Sequence, residues 1–220
     1  MDWNTFLDTC ETGDLLLYSD KKAWYSRAIE FFTGSKFSHV SMILKSPTFL
    51  DPSLNGIYIL ESGHENVPAI DTGKITFGVQ ISSISVVKTT MKNPKNQIYF
   101  RKLYVKRDEN FFKCIKSGYE IAKNKSYDFN PWDWIKAEFN LHIGNEHKLD
   151  TFWCSALIAF MYVKMNLLNV TIPWTIIEPK FFSYYENKKQ IYNNCDLFAE
   201  IKLLNNKTKT INTNAINAKI

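Results

Sequence analysis

The sequence lacks the features that would assign it quickly to a class. Its four cysteines (Cys10, Cys114, Cys154 and Cys195) stand far apart and form no CxxC pair, so neither a disulfide framework nor a zinc knuckle is expected. The opening stretch MDWNTFLDTCETGD is acidic and has no basic segment followed by an apolar one. No secretory signal is therefore expected, and the cysteines are expected as reduced thiols in a cytoplasmic interior. No apolar run approaches the roughly 18 residues of a membrane span, which excludes stable membrane insertion by a helix. The lysines are scattered, so the net charge of +5 reads as a solvated surface, and no nucleic-acid partner is expected. Internal repeats, dividing linkers and an HExxH metal-binding helix are absent as well.

What is present is a chain of 220 residues that is 45% apolar and 15% aromatic, enough for one domain with a sizeable core. DLLLY (14–18) reads as a first strand introduced by Gly13. In residues 22–34, Trp24, Ala28, Ile29 and Phe32 have helical spacing, with Gly34 as the stop. SHVSMIL (38–44) and IYILES (57–62) read as strands joined by the loop KSPTFLDPSLNG, and residues 75–87 and 97–105 as further strand material. Asp108 caps a helix with an apolar stripe at Phe111, Phe112, Ile115, Tyr119 and Ala122. PWDWIKAEF (131–139) is a short helix with Pro131 in its first turn. Residues 154–168 form the strongest helix of the chain, and FAEIKLL (198–204) closes the sheet. The order gives one α+β domain over residues 1–204, followed by a polar, disordered tail over 205–220.

The stretch TFWCSALIAFMY (151–162) carries the chemistry. Cys154 heads the helix, in phase with Leu157, Ile158, Met161, Tyr162 and Met165, and Asp150 or Thr151 can serve as N-cap. A helix N-terminus stabilises a thiolate and lowers its pKa. A buried structural thiol fits the same position, because cysteine is among the most buried residue types. A nucleophile needs a base, and the base an orienting group. Of the four histidines (His39, His64, His142 and His147), only His39 opens a strand, and the next strand ends at Glu61. A hairpin loop centred on residue 50 pairs positions summing to 100, which sets His39 directly opposite Glu61 on one face. Taken singly, His39 reads as a satisfied histidine and Glu61 as a solvated strand end. A metal site built from His39, Glu61, His64 and Glu65 is disfavoured, because adjacent residues on a strand point apart.

GDLLLYS, FSHVSMIL, YILES and FWCSALIAFMY, in that order, resemble the circularly permuted branch of the NlpC/P60 papain-like superfamily, with its YiiX-like bacterial members and their poxvirus counterparts. The match covers roughly residues 12–185. It implies a permuted papain-like α+β fold, in which a small antiparallel sheet packs against helices and the cysteine sits at a helix N-terminus. It also implies that Cys154 is the nucleophile, His39 the general base and Glu61 the group that orients it, in the order histidine, carboxylate, cysteine. Tyr127 in NKSYDFNPW matches an upstream tyrosine that can stand near the oxyanion, with serine where proline is usual. Asp14 reads as a structural cap. Ala156 stands where a glutamate is common, so the substrate preference does not carry over.

The resulting expectation is a cysteine hydrolase or acyltransferase that cleaves an amide or ester through a Cys thioester. It needs no metal or organic cofactor, and its substrate is a peptide, another amide or a lipid acyl group. The alternative is a non-catalytic binding module that keeps the papain-like cleft. The viral relatives, with the high asparagine, lysine and isoleucine usage, point to a viral source, for which a virion location also fits.

Overall fold

The computed structural model describes residues 1–19, 35–64, 68–126, 152–187 and 192–205. The expected helices over 22–34 and 131–139 lie outside these residues, as does the tail from 206 on. In chain order the elements are α1 (Trp3–Thr9), β1 (Leu15–Ser19), β2 (His39–Lys45), β3 (Ile57–His64), β4 (Phe77–Ser83), α2 (Ser85–Thr90), β5 (Gln97–Arg101), β6 (Leu103–Tyr104), α3 (Glu109–Ala122), α4 (Cys154–Lys164), two 3-10 turns (Trp174–Ile176 and Pro179–Phe182), β7 (Asp196–Leu197) and β8 (Ile201–Lys202). Six strands form one sheet in the order β4-β3-β2-β1-β5-β8, while β6 and β7 pair separately. Every registered strand pair is antiparallel. The protein is thus an α+β fold with an antiparallel sheet packed against helices.

Strand β1 is apolar without alternation and buried at every position, as a strand covered on both faces must be. Alternation splits the sheet into two faces. Leu15, Leu17, Val40, Met42, Leu44, Leu60, Val79 and Ile81 pack with α3 and α4. Leu16, Tyr18, Ile43, Ile59, Ile98 and Phe100 pack with α1 and Val87 of α2. α3 follows the sequence closely: the Asp108 side chain accepts from the Phe111 N–H at 3.1 Å, and Phe111, Ile115, Tyr119 and Ala122 are buried. β8 pairs with β5 and ends the sheet, as expected for residues 198–204.

Several expectations change. Residues 75–87 are not all strand: β4 ends at Ser83, and α2 follows with only Val87 buried in the core. The cysteine helix ends at Lys164 and has no single apolar face, because every residue from Cys154 to Tyr162 is buried. Its N-cap is Trp153, which makes no side-chain cap. The expected caps Asp150 and Thr151 lie outside the described residues. Asp14 is structural, as expected. It is fully buried and accepts from the Glu11 and Leu103 N–H groups at 2.8 and 2.9 Å, with Lys102 and Arg107 each at 3.1 Å.

The approach to Cys154 is held by the backbone. Ser62 Oγ donates to the Phe152 carbonyl at 2.5 Å, and the Phe152 N–H donates to the Ser126 carbonyl at 3.0 Å. Val79 N–H in turn donates to the Lys125 carbonyl at 3.0 Å. Gly78 makes this close approach possible, because a Cβ there would collide with the Lys125 carbonyl oxygen and stand 2.9 Å from Ser126 Cα. Backbone cannot yield as a flexible side chain would. Gly78→Ala should therefore cost about 2 kcal/mol or more and lower the melting temperature by several degrees. An unchanged denaturation curve would show that the contact is not a constraint.

Candidate active site

The β2–β3 ladder brings histidine and carboxylate together, though not in the expected register. Its pairs run from Met42↔Leu60 to Lys45↔Ile57 and sum to 102, not 100. Continued, that register sets His39 opposite Gly63, with Glu61 as its diagonal neighbour. A slip of two residues keeps both side chains on the same face, and diagonal neighbours lie within reach of long side chains. His39 Nε2 and Glu61 Oε2 are 3.0 Å apart. A carboxylate can only accept, so Nε2 carries the proton and donates, which leaves Nδ1 as the atom able to meet the sulfur.

The imidazole is bounded on its other sides. The Tyr18 ring meets it edge-on with centroids 5.0 Å apart, and the Tyr18 hydroxyl is fixed against Ser41 Oγ at 2.9 Å. At Gly63 a Cβ would stand 3.4 Å from His39 Cε1, so glycine leaves the ring its space. Glu61 is buried, with 2% of its side chain exposed, whereas His39 keeps 25%. The site therefore opens to solvent on the imidazole side.

Cys154 is buried at the first position of α4, where the helix leaves its leading N–H groups without intrahelical partners. The sulfur accepts from the backbone N–H groups of Val40 and Ser155 and hydrogen-bonds His39. Burial alone would raise the thiol's pKa. The His39 charge and hydrogen bond, followed by the two backbone donors, outweigh it and hold the thiol below its ordinary value. Burial likewise opposes charge on His39, but the facing Cys154 and then Glu61 raise the imidazole to about 10. Both shifts favour a thiolate–imidazolium pair between Cys154 and His39. Cys10 and Cys195 behave in the opposite way, their thiols pushed up to about 11 by burial.

Ser155 Oγ anchors the helix head by donating to the Ile177 carbonyl at 2.6 Å, and Ala156 is buried. Tyr127, His142, His147 and Glu65 lie outside the described residues. Among the described residues, no group of three or more His, Cys, Asp or Glu is arranged to hold a metal ion, and no helix is long and apolar enough to cross a membrane. Tyr18, Val40, Ser41 and Gly63 were not identifiable as site residues from the sequence. Val40 contributes only its N–H and Gly63 only the absence of a side chain, and neither leaves a sequence signal.

No protein-family model matches the sequence, and no curated protein matches it. Among solved structures, the chain is similar to the crystal structure of metalloprotein yiiX from Escherichia coli O157:H7. That similarity has a TM-score of 0.47 and 13% identity, and covers 89% of this chain and 97% of that one.

The charge arrangement predicts selective alkylation. Between pH 6 and 7, on the order of ordinary assay conditions, iodoacetamide should label Cys154 well before Cys10 or Cys195. His39→Ala should remove that advantage, because burial then acts on the thiol without its counter-charge. Peptide mapping of the labelled protein reads the order directly, and equal labelling of the thiols would contradict the pairing.

Proposed function

We propose that the protein is a cysteine hydrolase or acyltransferase on a permuted papain-like fold, acting on an amide or acyl ester through a thioester. The observation that carries this reading is the continuous chain of contacts from Cys154 to His39 to Glu61, with the sulfur at a helix head. The order histidine, carboxylate, cysteine along the sequence agrees with the permuted arrangement of the family that it resembles.

The chemistry follows from the groups present. The Cys154 thiolate attacks the carbonyl carbon, and the carbonyl π electrons move to oxygen. The free N–H groups at the start of α4 face developing negative charge there. Ser155 N–H already serves the sulfur, which leaves the Cys154 N–H as the nearest remaining donor. As the tetrahedral species collapses, the bond to the leaving amine or alcohol breaks and His39 gives it a proton. The neutral imidazole then takes a proton from water, or from an acceptor alcohol or amine, which attacks the thioester. Collapse releases the acyl product, and Cys154 leaves as the thiolate. Glu61 holds Nε2–H throughout and stabilises the imidazolium. A nucleophile of this kind works only as a free thiol, so a reducing, cytoplasmic setting suits it, and all four cysteines are free.

An acyl-reactive probe with intact-mass readout tests the proposal. The native chain should gain one acyl group on Cys154. Cys154→Ala should gain none while staying folded, because truncating the thiol costs only about 1 kcal/mol of packing. Glu61→Gln keeps the shape but removes the charge, so acylation should slow tenfold or more, about 1.4 kcal/mol per tenfold. Capture at another cysteine with undiminished rate, or a Glu61→Gln rate equal to native, would defeat the reading in favour of a binding module.

A further inference from the structure

Glu61 uses only one of its two oxygens in the contacts described above. Its Oε1 is buried without a hydrogen-bond partner, and so is Gln80 Nε2. These two residues are direct partners in the β3–β4 ladder, Glu61↔Gln80. Directly opposed residues put both side chains on one face with Cβ atoms about 4.5–5.5 Å apart. An unpaired acceptor and an unpaired donor therefore face each other in a layer where Glu61 is 2% and Gln80 0% exposed. Native interiors rarely leave either kind of group alone. At the other end of the amide, Thr76 Oγ1 donates to Gln80 Oε1 at 3.3 Å, so the oxygen is already engaged and the nitrogen is the free end.

We propose that Gln80 is a positioning residue of this site, its Nε2–H donating to Glu61 Oε1 after a small side-chain rotation and holding the carboxylate against His39. The role rests on the thiol-hydrolase reading, since it acts through Glu61 and His39. It extends the chain of contacts to four strands and helices: Thr76 and Gln80 from β4 and the turn before it, Glu61 from β3, His39 from β2, and Cys154 from α4. The titratable groups that Glu61 faces are His39 on β2 and, through it, Tyr18 on β1 and Cys154 at the head of α4. Gln80 on β4 is the uncharged member.

The direction of the effect follows. Without the amide donor the carboxylate holds the imidazolium less firmly, and the thiolate loses part of its counter-charge. The acid limb of Cys154 reactivity should then move up toward the ordinary thiol range. Gln80→Met keeps the length and packing but has no donor. Its rate of iodoacetamide alkylation at Cys154, followed against pH, should show an acid limb roughly one pH unit above native. Gln80→Asn, with the amide withdrawn by one methylene, should show a smaller shift in the same direction and covers the case in which Gln80→Met does not fold. Ser82→Ala removes another buried polar group without a partner, two residues further along β4, and should leave the limb where it is. A packing role would lower the melting temperature without moving the limb. A folded Gln80 variant with the native profile therefore overturns the proposal, as does a shift in Ser82→Ala alone. If the native protein itself shows no acid limb below the ordinary thiol range, the thiol-hydrolase reading fails first, and the two failures are thereby distinguished.

Discussion

The backbone N–H of Val40 ties the sheet to the chemistry. In a β2–β3 ladder continued past Met42↔Leu60, Val40 would stand opposite Ser62. Instead its N–H is given to the Cys154 sulfur, while the Ser62 hydroxyl is given to the Phe152 carbonyl. The segment leading into α4 thus occupies the place where strand pairing stops. α4 packs on the face carried by Val40, Met42 and Leu60, whereas His39 and Glu61 have the parity of Ile43 and Ile59 on the other face. Thiol and imidazole meet past the last ladder pair, and no meeting of this kind is possible in the middle of a continuous ladder.

Burial makes the members of this site depend on one another. Cys154 and Glu61 are almost wholly buried, and an isolated charge there would be strongly disfavoured. Each charge persists because of its neighbour: thiolate against imidazolium, imidazolium against carboxylate. The two titrations consequently belong to the pair and not to either residue. The same arrangement explains why one of the four thiols is set apart. Cys10 is buried and Cys195 half-buried. Burial is the largest influence on each and drives both upward, with Asp196 adding to it at Cys195 and with Lys45 and Lys102 failing to offset it at Cys10.

Much of this was legible in the sequence, and the failures have identifiable causes. β2 and β3 announced themselves as β-rich runs, and α3 through Asp108 and its stripe, because in each the local pattern agrees with the packing. The hairpin register slipped by two because its loop is not centred on residue 50. Ser46 takes a positive φ of 43° and its N–H meets the Gly56 carbonyl at 2.5 Å, which centres the closure on residue 51. The slip was harmless to the site, since an even shift keeps His39 and Glu61 on one face. Helix α1 was missed because it is a single short element whose main signal is Asp2 capping the Asn4 and Thr5 N–H groups at 3.1 Å. In α4 the helix itself was read, but the single apolar face expected at Cys154, Leu157, Ile158, Met161, Tyr162 and Met165 does not exist, because burial is even from Cys154 to Tyr162. Gln80 was invisible for a different reason: an isolated glutamine in a strand has no pattern, and only the ladder places it across from Glu61.

If His39 rests as an imidazolium between a thiolate and a carboxylate, nitrogen NMR of its labelled ring reads that state without an intermediary. A histidine raised to about 10 keeps both ring nitrogens protonated below that pH and loses the proton only as pH rises through it. At pH 8, roughly one and a half units above the ordinary histidine value, the native protein should show two protonated ring nitrogens. In Cys154→Ala the midpoint should fall, because the facing negative charge is gone. A neutral His39 ring at pH 8 in the native protein, or a midpoint indifferent to Cys154→Ala, would contradict the account.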